Sequence, residues 1–288
     1  WPGIRRCGGR RPRDPEGSGE PQGGAPVNQA AAAARRVLLA AGLPLALLAC
    51  WWVASAGSQS FYLPPLRQIL ATFDDVWFGA RLADDVLPSL LRLLAGFGLA
   101  TVTGVALGVV VGSSPRLRLA CEPVLELLRA IPPPVLVPIF ILVAGLGTTM
   151  KVLVIVSGCV WPILLNTVEG VRARDEVLED TCRAYGIGGG ARLRHLVLRA
   201  ASPQIVTGMR QALSIGIILM VISEMFAASA GLGFTIIQFQ RGFAIPEMWT
   251  GILLLGLLGV LLSLGFRLFE RRVLFWYHGL RRARRGPS

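Results

Sequence analysis

Apolar runs of about twenty residues, separated by short polar segments, set the pattern of this chain. Six stretches are long enough to cross a hydrocarbon core, which takes about 20 helical residues: residues 37–56, 87–112, 131–150, 152–168, 205–228 and 248–266. The first is preceded by Arg35 and Arg36 and contains Trp51 and Trp52, which suit a membrane interface. Ala54, Ser55 and Ala56 resemble a signal-peptidase site, but the run exceeds the ~7–15 apolar residues of a signal-peptide core, so an uncleaved helix is expected. Residues 1–34, rich in Gly, Pro and Arg and ending in an Ala run, read as a disordered tail. Residues 35–275 form the membrane domain, residues 170–203 its one sizeable polar loop, and 276–288 a basic tail. The pattern predicts an all-α, polytopic membrane protein with six transmembrane helices.

Composition agrees with that reading. The 288 residues are 53% hydrophobic and 16% charged, against about 25% charged in a soluble domain, with a mean hydropathy of +0.59. A net charge of +12 in a soluble protein would suggest nucleic acid. Here the basic residues, 28 Arg and the single Lys151, sort by topology. With the N-terminus inside, seven precede Val37, two (Arg116 and Arg118) follow span two, six lie between Glu169 and Pro203, and seven lie from Arg267 onward. The outer loops hold only Arg67, Arg81, Lys151 and Arg241. Positive charge stays cytoplasmic, so both termini are expected inside and no nucleic-acid partner is implied.

Several residues stand out against the apolar background. Gly96, Ala100, Gly104, Gly108 and Gly112 are small residues four apart on one ridge of span two, which predicts close helix packing, against this chain or a second copy. Span five contains Arg210 and Glu224, whose cost at the bilayer centre, about 2.5–3.5 kcal/mol each, places them near its ends. Glu224 then either caps a water-filled pathway or reaches the headgroups. Asn166, at the inner end of span four, is a second pathway candidate. The run Pro132, Pro133 and Pro134 removes consecutive amide donors, marking a gate or a helix that starts after the prolines. The five cysteines are scattered and only His195 and His278 accompany them, so neither a disulfide scaffold nor a metal site is expected.

The loop 170–203 carries its own pattern. Asp175 can cap a helix in which Val177, Leu178, Thr181, Cys182 and Tyr185 share one face, and Gly186 with Gly188, Gly189 and Gly190 stops it. A second basic piece, residues 191–200, leads to Ser202 and Pro203, which read as N-cap and first residue of span five. A helical hairpin between two spans is a docking element, or else a solvated loop on the headgroups.

The segment Asp180, Thr181, Cys182, Arg183, Ala184, Tyr185, Gly186, with Pro203 seventeen residues beyond the glycine, resembles the Glu-Ala-Ala loop of ABC importer permeases. Asp replaces the usual Glu, Thr and Cys replace the two Ala, and Arg199 stands where a first Pro is common. Residues 90–97, 127–132, 161–167 and 223–233 also resemble the nitrate, sulfonate and taurine branch of that family. The resemblance covers roughly residues 60–275. It implies a type I ABC importer permease (MetI-like) fold in a bacterial inner membrane and a homodimer of this chain. It also implies two cytoplasmic ATPase subunits and an extracytoplasmic solute-binding protein. Residues Asp180 to Ile187 would couple to the ATPase, with Pro132, Asn166 and Glu224 on the translocation pathway. The sequence has no G-x-x-x-x-G-K-[ST], so ATP hydrolysis falls to a partner, and neither catalytic residues nor a cofactor are expected.

Two rivals remain at this stage. A membrane-embedded enzyme acting on a prenyl diphosphate would use Asp74, Asp75, Asp84 and Asp85 to hold Mg²⁺, though a third carboxylate at suitable spacing is missing. A secondary carrier would need an inverted repeat and buried titratable groups, and neither is evident.

Overall fold

The computed structural model describes residues 27–277, apart from Ala80 and Ala227. The tail expected over residues 1–34 lies mostly outside the described residues, and most of the basic tail does too. Residues up to Ala54 and residues 55–288 are separate compact units. The first contains α1 (Val27–Ser55), which starts ten residues earlier than the apolar run and carries exposed Leu43, Leu45, Leu47 and Val53.

Among its described residues the second unit has helices joined by turns and loops, and no strand. It comprises α2 (Leu66–Trp77), α3 (Leu87–Ser113), α4 (Pro115–Arg129), α5 (Val137–Ala144), α6 (Thr148–Arg172), α7 (Glu176–Ala184), α8 (Gly189–Arg192), α9 (Leu198–Phe226), α10 (Leu232–Arg241) and α11 (Ile245–Val273). One π-type turn, Leu82–Val86, leads into α3, and another, Leu193–Val197, joins α8 to α9.

Helix α6 lies between α3 and α9, and glycine decides how closely. A Cβ at Gly96, Gly104, Gly108 or Gly112 of α3 would lie 2.6–2.9 Å from Ile155, Ile163, Thr167 or Val171 of α6. The small-residue ridge therefore packs within this chain. Lipid provides no hydrophobic drive between helices, so near approach of backbones supplies the contact. On the other side, Gly208 of α9 sits against the Pro162 carbonyl and Asn166, and Gly216 against Leu93 and Cys159. Amphipathic α2 is fixed by Trp77, whose indole N–H donates to Thr250 Oγ1 of α11 at 2.8 Å.

Three expectations about the spans change. Among the described residues four helices are long and apolar enough to cross a membrane, or five if α4 and α5 count as one broken span, while the apolar part of α1 is shorter. The expected span 131–150 is not one helix: α4 and α5 meet at 79° across the proline run, and Gly145 (φ 72°) ends α5 after eight residues. Ser202 and Pro203 do not begin a helix, because residues Gly189–Phe226 are continuous. Pro203 has no N–H for the Arg199 carbonyl, and Ser202 Oγ donates to that carbonyl instead at 2.9 Å.

Candidate functional site

The hairpin between α6 and α9 forms as its local signals predict. Asp175 accepts from the Val177 N–H at 3.0 Å, and Gly186 takes φ 64°, where L side chains are strained, so that Ile187 N–H reaches the Cys182 carbonyl at 2.9 Å. Its polar anchor is Glu179. That carboxylate accepts from Arg183 at 3.1 Å, pairs with Arg192 of α8, and lies 3.6 Å from Arg174, itself tied to the Val171 carbonyl of α6. With Glu179 turned inward, the apolar face turns out: Val177 is 71% and Tyr185 79% exposed, with Leu178 and Ile187 beside them. Thr181 and Ala184 are exposed on the same short helix, Gly186 is exposed just beyond its end, and Cys182 is half-buried. The amphipathic helix thus shows its apolar side away from its own domain. Asp180 and Arg183 lie 3.5 Å apart and both are open to solvent, which makes their pairing weak.

The proline break lies against the centre of the bundle. Pro132 precedes a tight turn over Pro133–Leu136, and Pro133 Cγ lies 3.1 Å from the position a Cβ would take at Gly158 of α6, where Leu219 and Ile215 of α9 also meet. Asn166 is half-buried; its Nδ2 donates to the Pro162 carbonyl at 2.8 Å and to Gln211 Oε1 of α9 at 3.2 Å.

Glu224 faces no opening. It is 0% exposed, and its carboxylate accepts from Ser89 Oγ at 2.8 Å, Arg92 Nη1 at 2.7 Å and the Gly233 N–H at 3.1 Å. Arg92 also donates to the Ala230 carbonyl, Asp85 accepts from the Gly231 N–H at 3.0 Å, and Ser89 Oγ accepts from the Leu232 N–H at 3.0 Å. Gly231, at φ 127°, leaves no room for a side chain: a Cβ there would meet the Glu224 carboxylate at 2.5 Å. These groups clamp the turn between α9 and α10 onto the start of α3. Lys151 is buried at the start of α6, within electrostatic reach of Arg92 and Glu224.

Residues 101–275 match the family model described as "Binding-protein-dependent transport system inner membrane component". The chain belongs to this family. It is a permease subunit of an ABC importer in the inner membrane, a multi-pass transport component and not an enzyme. Its relatives lie in the branch that the sequence resembles. The taurine transport system permease protein TauC of Escherichia coli is 29% identical over 250 residues, covering 84% of this chain and 91% of the relative. The putative aliphatic sulfonates transport permease protein SsuC of Bacillus subtilis is 29% identical, covering 81% and 86%. The nitrate import permease protein NrtB of Synechocystis is 28% identical, covering 75% and 82%. A chain of the MetNI methionine ABC transporter shares the fold, with a TM-score of 0.57 at 21% identity over 66% of this chain and 94% of that one. Permeases of this family work with an ATPase and a solute-binding protein.

Against that family, the ion-pair hubs are what sequence reading missed. Glu179 looks like any polar residue of an amphipathic helix until Arg192 folds back beside it. The Arg92 to Glu224 pair did leave a signal: opposite charges inside two spans, each near the end assigned to the outer side. Asp85, a candidate metal ligand in the enzyme reading, is instead buried on the Gly231 amide.

Proposed function

We propose that this permease imports a small oxyanion of the sulfonate or nitrate class, as a homodimer driven by two ATPase subunits, with both termini cytoplasmic. The hairpin α7–α8 is the element gripped by the ATPase, and residues Asp180 to Ile187 form the contact. One observation carries this reading: α7 exposes Val177, Leu178 and Tyr185 while three arginines hold Glu179 beneath it. A loop lying on the headgroups would turn this face to lipid, and ATPase retention separates the two readings. The residue types fit a gripping ATPase, since the small side chains of Thr181, Cys182 and Ala184 admit close approach and Gly186 supplies the turn. Pro132 and Asn166 lie on the pathway side of the bundle, whereas Glu224 braces the outer end. The oxyanion class rests on the relatives, which are named for taurine, aliphatic sulfonates and nitrate.

The test is co-purification. Tyr185→Ala should leave the permease folded in the membrane but weaken retention of the co-expressed ATPase by about tenfold, the size expected for an aromatic anchor at the centre of an interface. ATPase retention equal to that of the unchanged chain sinks the docking assignment. Uptake of taurine, methanesulfonate and nitrate into proteoliposomes holding the whole complex assigns the solute within the class.

A further inference from the structure

Helix α9 carries an exposed line of residues between Asn166 of α6 on one side and a groove shared with α11 on the other, and that line changes character halfway along. Gln204, Thr207, Gln211 and Ser214 are exposed at i, i+3, i+7 and i+10 on the half nearer the hairpin, whereas Ile218 and Met225 continue the line toward the Glu224 end. Amides and hydroxyls in series are costly against lipid, and irregular backbone at membrane depth persists only inside protein or beside water. The proline break supplies such backbone at the level of the change, with Pro133, Ile215 and Leu219 converging on Gly158.

The hydrogen bonds leave an unusual surplus of donors. Thr207 Oγ1 donates to the Pro203 carbonyl at 2.8 Å and is spent within its own helix. Asn166 Nδ2 occupies the Gln211 carbonyl oxygen at 3.2 Å, which orients the Gln211 amide so that its two N–H donors project from the pair. Neither those donors nor the Ser214 hydroxyl has a partner among the described residues. The nearest basic residue along this helix, Arg210, is taken by Glu270 of α11. The site is thus rich in neutral donors, and Arg267 of α11 lines the groove beside Ser214. An oxyanion accepts hydrogen bonds through every oxygen and donates none, so neutral donors with one exposed cation at the edge of the groove suit it.

We infer that Gln211 and Ser214, with Asn166 orienting the Gln211 amide, form the site where a permeating oxyanion touches this subunit, on a passage whose opposite wall is the same face of a second copy. The inference rests on the proposed function and adds to it the contact residues and the reason for anion preference. Ile218 and Met225 then form the apolar constriction beyond the site.

Single Gln211→Cys, Ser214→Cys and Val102→Cys variants decide this, in the complete complex reconstituted with its ATPase and binding protein. Val102, exposed on α3, is the lipid-facing control. Only the thiolate reacts with alkanethiosulfonates, and it forms in water rather than lipid, so the two α9 positions should label at least ~10-fold faster than position 102 once the native cysteines' background is subtracted. The negatively charged sulfonatoethyl reagent, itself a sulfonate, should react faster than its trimethylammonium counterpart at position 214, beside the intact Gln211 amide. Labelling no faster than at position 102 overturns the inference, since the face is then in lipid or sealed by a helix. Equal or faster reaction with the cationic reagent overturns the oxyanion assignment. Gln211→Leu should abolish uptake while leaving ATPase retention intact, whereas failure of the docking reading shows separately, as undiminished ATPase retention by Tyr185→Ala.

Discussion

Two glutamates, one at each end of the same bundle, are both held by arginine, yet they do opposite work. Glu224 is sealed: one guanidinium, one hydroxyl and one backbone amide fill its acceptor sites and no water reaches it. Glu179 is 18% exposed and shares its charge among three arginines in reach of solvent. The first joins α3, α9 and α10 through bonds that have no substitute once broken. The second holds a small hairpin by contacts that water and salt can replace. Geometry of pairing is similar; the dielectric around it separates a brace from an adjustable mount.

Glu224→Ala should have the largest effect. It strands Arg92 in the interior, which costs on the order of 3–5 kcal/mol, so the detergent-solubilised protein should melt much earlier and accumulate poorly. A melting temperature within a degree of the parent would show that the brace is dispensable. Gly231→Ala comes next, because it adds both backbone strain at φ 127° and a methyl against the Glu224 carboxylate. A loss of about 1–3 kcal/mol is expected, read as lower thermal stability with faster amide exchange confined to the α9–α10 turn. Glu179→Gln should be mildest, about 1 kcal/mol or less, with melting almost unchanged. Its signature is functional: ATP hydrolysis continues while solute uptake per ATP falls, and raising salt on the parent mimics it in part. If Glu179→Gln instead unfolded the protein as Glu224→Ala does, the contrast between the two ends would be void.

What the sequence disclosed divides along the same line. The Asp175 cap, the Gly186 turn and the outward apolar residues of α7 were readable because each depends on neighbours a few positions away. The ridge Gly96 to Gly112 was readable as a packing face, but its partner was not, since spacing along one helix does not say which helix answers it; the structure names Ile155, Ile163, Thr167 and Val171. The break at Pro132 was visible as missing donors, yet neither the 79° bend nor the approach of Pro133 to Gly158 could be read from spacing along the chain. Ser202 and Pro203 misled, because a proline that normally starts a helix is tolerated inside one when a neighbouring hydroxyl takes over the orphaned carbonyl. The donor pair at Asn166 and Gln211 spans 45 positions and belongs to tertiary structure alone.

The unbroken run from Gly189 to Phe226 ties these ends together mechanically. At 1.5 Å per residue it is a rod of about 57 Å, stiff except where the π-type turn at Leu193–Val197 loosens its winding. A tilt of about five degrees at the handle sweeps the far tip by roughly 5 Å over that length. Pro203 lies between the rod's two ends, and there the Ser202 hydroxyl replaces the one backbone bond that the proline cannot make, so the rod stays continuous.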